Sequence, residues 1–333
     1  MNNKTYGKYT DGKLFLYGKS FSDKRLKGAQ RKGMVFIDNS QELFIKADEV
    51  TKAREDAKFQ EKHDFKYSSI TEEIVSRLID NMNFDLNFPC LTYEFTLIVE
   101  NNKEISATVS KNFIKNGYLE QLLTDWTNEP YESYLIDFDN FEKNIKKSHS
   151  NDEIFNNMFE YYLKYGVDSD LAKYFIIQQA GFDLLTGNID RKGNCTNTVF
   201  IAKNENEVIP INIDFGRCLQ MEWTDTTDNR FLDLLDDKEL LNEIELDYAE
   251  SMIEANGGIL GNHPKFEENV KFILDKGFKP FNINYSKLEK DLDDSCKKIK
   301  ILKPNLYNFA RTKSNALLKL LKDERTQQLW EEV

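Results

Sequence analysis

Asp190, Asn194, Asn197 and Asp214 all stand in one stretch, 187-GNIDRKGNCTNTVFIAKNENEVIPINIDFG-216. Carboxylate and amide oxygens are hard donors, suited to Mg²⁺ shared with phosphate oxygens. A carboxylate can also accept the proton of an attacking hydroxyl. The runs TVFIAK (198–203) and VIPINI (208–213), joined by NENE, are of equal length and read as a hairpin. Pairing them predicts Asn197 and Asp214 face to face at the open end, with Cα atoms ~5 Å apart. Asp190 lies seven residues before Asn197, in the loop that leaves a helix, with reach to the same space. Singly, these residues also read as loop material: Asx-turns at Asp190, Asn194 and Asn197, and a turn from Asp214 to Gly216. As a set they point to a metal-assisted site, with Asn197 and Asp214 as ligands and Asp190 as a catalytic carboxylate.

The elements that must position this set follow from the spacing of apolar residues. LFLYG (14–18), MVFI (34–37), LFIKA (43–47), YEFTLIVE (93–100) and ISATV (105–109) read as strands separated by polar turns. Between them, Ile70, Ile74, Val75, Leu78, Ile79 and Met82 recur at helical spacing and predict a helix over 69–82. From about 113 the text becomes helical, with helices over 156–166 and 171–185. The second is apolar nearly all round, hence buried, and follows three plausible N-cap residues, Asp168, Ser169 and Asp170. After 220 helices run to the end, over 234–255, 266–277 and 306–332. The expected architecture is α+β, with a small strand-rich lobe over 1–110 and a larger, mostly helical lobe over 111–333.

Composition limits the function. The 333 residues suffice for one large or two-lobed body. A formal net charge of −12 disfavours direct nucleic-acid binding, which needs a basic face. No run approaches ~18 apolar residues, so no membrane span is expected. The N-terminus has no apolar signal region, and the expected location is the cytoplasm, with secretion as an effector left open. Cys90, Cys195, Cys218 and Cys296 form no C-x-x-C pair and only three His occur, which disfavours structural zinc and fits a reducing compartment.

The pair FDLLTGNIDR (182–191) and IPINIDFG (209–216) resembles the catalytic and metal-binding loops of the HipA-like serine/threonine kinases, most closely their compact CtkA-type members. The N-terminal half is similar as well, in 27-KGAQRKGMVFIDNSQELFIK-46. The resemblance implies a bilobal protein-kinase-like fold that takes ATP and Mg²⁺. It implies that Gly28, Ala29 and Gln30 cover the phosphates with Lys32 nearby, and that Lys46 contacts the α/β-phosphates. Glu72 would orient Lys46 by an ion pair. Ser69-x-x-Glu72 equally reads as a capping box for its own helix, and Glu73 stands next door. The adenine would lie against the connecting segment VSKN (109–112), through Ser110 and Asn112. In the family the metal-binding asparagine follows the aspartate by five residues. Here Asn194 follows by four and Asn197 by seven, and the hairpin favours Asn197. Lys192 replaces the family's histidine.

By resemblance the protein would phosphorylate a Ser or Thr hydroxyl of a protein, such as a translation component. The setting would be a toxin–antitoxin kinase with an antitoxin partner, or an effector kinase. Two alternatives stand beside it: a nucleotide-binding pseudokinase or interaction module, and a phosphoinositide or small-molecule kinase. A phosphoinositide kinase calls for a basic segment after the hairpin, whereas RCLQMEWTDTTDNR (217–230) holds several acids. Ser20 and Ser22, upstream of Gly28, are candidates for autophosphorylation.

Overall fold

The computed structural model describes residues 5–17, 30–37, 41–50, 68–82, 85, 87–111, 143–145, 147–188, 191, 197–204, 207–219 and 266–333. It is a mixed α/β structure. Six strands close into a barrel: β1 (Thr5–Thr10), β2 (Lys13–Tyr17), β3 (Gln30–Ile37), β4 (Gln41–Val50), β5 (Glu94–Glu100) and β6 (Lys103–Lys111). Their order around it is β1-β2-β5-β6-β4-β3, closed by parallel pairing of β1 with β3. Alternation along each strand separates two faces. Leu14, Val35, Leu43, Ile45, Ile98 and Ala107 point inward and form a core of their own. The five strand runs of the sequence are all present, and β1 is an addition to them. TYGKYT has little apolar alternation, and it is held through backbone pairing on both sides.

Between β4 and β5 comes helix α1 (Ser68–Asp80). Its apolar residues Ile70, Ile74, Val75 and Leu78 belong to a second, larger core. That core is built mainly from α2 (Asn151–Lys164), α3 (Ser169–Thr186), α4 (Phe266–Asp275), α5 (Tyr285–Leu302) and α6 (Tyr307–Lys322). The N-cap expected before α3 is Asp168, whose Oδ1 accepts the N–H groups of Asp170 and Leu171. Gly187 ends the helix in the left-handed conformation, at φ 57°, where glycine has no Cβ to clash. The expected last helix over 306–332 is shorter. It stops at Lys322, and the short strand Trp330–Glu332 pairs with Phe281–Ile283. Among the described residues no helix is long and apolar enough to cross a membrane. Cys90, Cys218 and Cys296 are free thiols. The segment 234–255 lies outside the described residues.

The hairpin of the sequence is β7 (Thr198–Asn204) and β8 (Glu207–Asn212). Its register corrects one expectation. Thr198 pairs with Asn212, and the Ile213 N–H donates to the Asn197 carbonyl at 3.2 Å. Asn197 therefore stands opposite Ile213, and Asp214 lies one residue beyond the pairing. The cause lies near the turn, where a β-bulge between Ala202 and Asn204 shifts the pairing by one residue, from Asn204–Glu207 to Ala202–Val208. Asp214 then leaves the strand with φ 63°, a left-handed conformation that aspartate tolerates better than most residues.

Candidate functional site

The site begins on the outer face of β4. Lys46 and Asp48 are two residues apart, so their side chains share that face. They meet Glu72 and Ser69, which are three apart and so share one face of α1. Lys46 Nζ donates to Glu72 Oε1 at 2.5 Å. At the other end, the Asp48 carboxylate accepts the Ser69 N–H at 3.1 Å and the Ser69 hydroxyl at 2.5 Å. The capping-box reading of Ser69-x-x-Glu72 is thereby overturned. The cap comes from the barrel, and Glu72 turns to the lysine. The Thr108 hydroxyl, opposite Lys46 on β6, donates to Glu72 Oε2 at 2.7 Å. Glu73 points elsewhere, and its carboxylate accepts the Phe95 N–H at 2.5 Å and the Ser295 hydroxyl at 2.6 Å.

Lys46 Nζ also donates to Asp214 Oδ1 at 2.5 Å. Lys46 and Glu72 are buried, at 4% and 0% exposure, while Asp214 keeps 25% of its side chain open. Burial disfavours the charged form of each group. For Lys46 the two carboxylates outweigh it and hold the ammonium charged, above its usual range. For Asp214 burial is outweighed by Lys46 and then Lys32, and its pKa falls below the usual carboxylate range. For Glu72 burial prevails over Lys46, and its pKa rises. The lysine thus sits between an open carboxylate held ionised and an enclosed one.

Two residues after Asp214, Gly216 presses on the first turn of α1. A Cβ placed there would lie 2.2 Å from Ser68 Oγ and 3.5 Å from Glu72 Oε1. Phe215, fully buried, packs edge-on against Tyr93 and Phe182 at 6.3 and 5.5 Å. Aromatic anchoring on one side and a glycine contact on the other fix the direction of Asp214.

Arg191 is the residue to which sequence reasoning assigns no role. It is fully buried. Its Nε lies 3.2 Å from Asp183 Oδ2, its Nη1 donates to the Asn197 carbonyl at 2.5 Å and to the Ile213 carbonyl at 3.3 Å, and its Nη2 donates to Asn212 Oδ1 at 2.7 Å. Burial lowers its pKa, but Asp183 more than compensates and the guanidinium stays charged. The planar fork spans the end of α3 and both strands of the hairpin. A signal for it is present in the sequence. Asp183 is the one acid in the apolar run 171–185, and a buried carboxylate needs a partner.

The other expected residues fall as follows. Lys32 stands directly opposite Lys46 on β3. Gln30 is buried in β3, and its Nε2 donates to the Ala47 carbonyl at 3.3 Å. Ser110 lies within β6, opposite Phe44, rather than in a connecting segment. Its hydroxyl is buried without a hydrogen-bond partner among the described residues. Asn197 is buried beside Arg191. Gly28, Ala29, Asn112, Asp190, Lys192, Asn194, Ser20 and Ser22 lie outside the described residues, as does most of the 217–230 segment.

The donors fit a metal–nucleotide ligand in kind. Asp214 offers an ionised, partly open carboxylate, and Asn197 follows Arg191 into the same hairpin end. Lys46 and Lys32 supply cationic charge beside them. Among the described residues no three His, Cys, Asp or Glu side chains cluster as a metal cage. A cation here would rest on one carboxylate, one amide and its ligand's own oxygens, as Mg²⁺ does with phosphates.

No protein-family model matches the chain. No curated protein matches it. Among solved structures it is similar to the Helicobacter pylori proinflammatory kinase CtkA, at 14% identity over 91% of each chain, with a TM-score of 0.43. A likeness at that level decides neither fold nor activity.

Proposed function

We propose that this chain is an ATP- and Mg²⁺-dependent serine/threonine protein kinase of the HipA-like type. The observation that carries the reading is Lys46, buried and within 2.5 Å of both Glu72 and Asp214. Like charges directly opposite on neighbouring strands repel, and Lys32 and Lys46 are so placed. Such a pair suits an anionic ligand. Glu72, held by Thr108, orients Lys46, and Lys46 meets the α/β-phosphates. Asp214 and Asn197 hold the metal, which when bound neutralises phosphate charge and aligns the transferred group. Gly28 and Ala29 cover the phosphates with Lys32. Gln30 contributes through its backbone, since its side chain is engaged on Ala47. Ser110 and Asn112 border the adenine.

Asp190 accepts the proton of the attacking hydroxyl. Its support is chain position: it directly precedes Arg191, whose fivefold donor fork is fastened to the hairpin that ends at Asp214. Catalysis then rests on positioning and charge neutralisation. The substrate is a protein hydroxyl, such as that of a translation component. The setting is cytoplasmic, with an antitoxin as partner.

The test is transfer of radiolabel from γ-labelled ATP, with and without EDTA. Transfer that is abolished by Asp214→Ala and by EDTA, in a chain that still melts cooperatively, supports the reading; transfer retained by Asp214→Ala removes it. A second reading, nucleotide binding without transfer, draws on Lys46 occupying Asp214 Oδ1. It predicts a thermal shift with Mg-ATP and no turnover.

A further inference from the structure

The two C-terminal helices reach the two segments that carry the carboxylate partners of Lys46, beside Glu72 at Glu73 and after Asp214 at Leu219. On α5, the Ser295 hydroxyl donates to Glu73 Oε1 at 2.6 Å, and Glu73 is the chain neighbour of Glu72. Asp291 Oδ2 accepts Asn81 Nδ2 at 2.9 Å, at the other end of α1. The Asn81 carbonyl accepts the Asn284 N–H at 2.9 Å, just before α5 begins. Leu288, Leu292 and Ile299 share one apolar core with Ile70, Ile74 and Leu78.

On α6, Lys313 is 2% exposed, and its ammonium donates to the carbonyl of Leu219. Leu219 follows Asp214 by five residues and has a left-handed backbone, at φ 48°. Its N–H donates to the Thr186 carbonyl at 2.9 Å. A buried ammonium aimed at one carbonyl of an irregular segment fixes that segment strongly, because charge-assisted hydrogen bonds exceed neutral ones.

We propose that the C-terminal helix pair is an internal clamp that sets the Glu72–Lys46–Asp214 geometry, with Ser295 and Lys313 as its positioning residues. Ser295 fixes the rotation of α1 about its axis through Glu73, so that Glu72 faces Lys46. Lys313 fixes the segment that follows Asp214. Neither residue touches the reacting groups. The proposal rests on the phosphotransfer reading for its catalytic consequence, but the clamp itself can be read without activity.

The experiment is amide hydrogen exchange on the full chain and on Ser295→Ala, Ser295→Thr and Lys313→Met, paired with kcat and KM for ATP. Leaving a buried acceptor unsatisfied is expected to raise exchange about tenfold. For Ser295→Ala the rise falls on residues 68–80 and on the Phe95 amide that Glu73 accepts, and for Lys313→Met on 213–219, while 5–17 is unchanged. Ser295→Thr restores protection. kcat falls with each rise in exchange, at a KM for ATP altered much less. Unchanged exchange in those two segments overturns the clamp, and so does a uniform rise along the chain. Ser295→Ala removes a single hydroxyl and decides alone if Lys313→Met does not fold. A wild-type chain that fails to transfer phosphate sinks the phosphotransfer reading, and the exchange pattern still decides the clamp.

Discussion

Asp48 of β4 caps helix α1 across the chain, taking both the N–H and the hydroxyl of Ser69 onto its carboxylate. The cap has a consequence in pH. Burial, opposed by the Ser69 bonds and helped by the charge of Glu72, pushes Asp48 up to about 8 from the ordinary aspartate value of 3.8. Between those values the folded chain holds a proton that the unfolded chain has released. Stability therefore falls as pH rises through this window and levels off above about 8, with a slope of at most about 1.4 kcal/mol per pH unit from this group. Glu72, also raised, adds to the slope in the same direction. Asp48→Asn keeps an acceptor for the Ser69 N–H and has no proton to lose. Melting temperatures from pH 5 to 9 should decline less steeply for Asp48→Asn than for wild type. Parallel curves would contradict the assignment.

Lys46→Met leaves Glu72 enclosed without its counter-charge. Removing one partner of a buried pair costs about 3–5 kcal/mol, an upper figure here because Asp214 remains partly open. Adding Glu72→Gln to Lys46→Met should recover part of that loss, although neither protein transfers phosphate. Urea unfolding of the two single variants and the double variant gives the coupling directly. Additive losses would show that the pair contributes nothing to stability.

Arg191→Lys keeps the charge and loses the fork. A lysine cannot bridge Asp183, Asn212 and the two hairpin carbonyls at once. The expectation is a fall in kcat/KM of about a hundredfold, with a smaller loss of melting temperature than Arg191→Met shows. Steady-state rates beside thermal melts test this, and full activity in Arg191→Lys would remove Arg191 from the positioning of the loop.

Gly216→Ala inserts a methyl group against Ser68 Oγ. Overpacking of this kind costs about 1–3 kcal/mol. Ser68→Ala takes away the nearest atom and leaves Ser68 Cβ at 3.3 Å from the new methyl group. The double variant should therefore be more stable than Gly216→Ala alone in chemical denaturation. Equal stabilities would place the strain elsewhere.

Local pattern makes much of this legible. The strand runs, helix α1, the Asp168 cap and the hairpin all follow from short-range spacing. Closure of the barrel does not, because β1 is recruited by residues far away in the chain. The same reason hides Asp48, a cap supplied from another element where Ser69 and Glu72 offer a local one. Of the site, Asp214 is legible from the hairpin, and Lys46 and Glu72 through the family resemblance alone; the structure brings their charged ends together. The expected opposition of Asn197 and Asp214 is off by one position, since two runs of equal length do not reveal the bulge between Ala202 and Asn204. Arg191 stands in the same stretch and is marked only indirectly, through the buried acid Asp183 that needs a partner. Its value lies in four partners drawn from three segments, which no window of sequence displays.

The outer face of the barrel is uneven. On β5 it presents Phe95 and Leu97, which are buried in the larger core, whereas on β4 it presents Lys46 and Asp48. Parting apolar surfaces opens a void, but parted charges can be met by water. Wetting the seam at Lys46 and Asp48 therefore costs less than wetting it at Phe95 and Leu97, and Phe44 on β4 is the apolar contact that keeps the charged stretch closed.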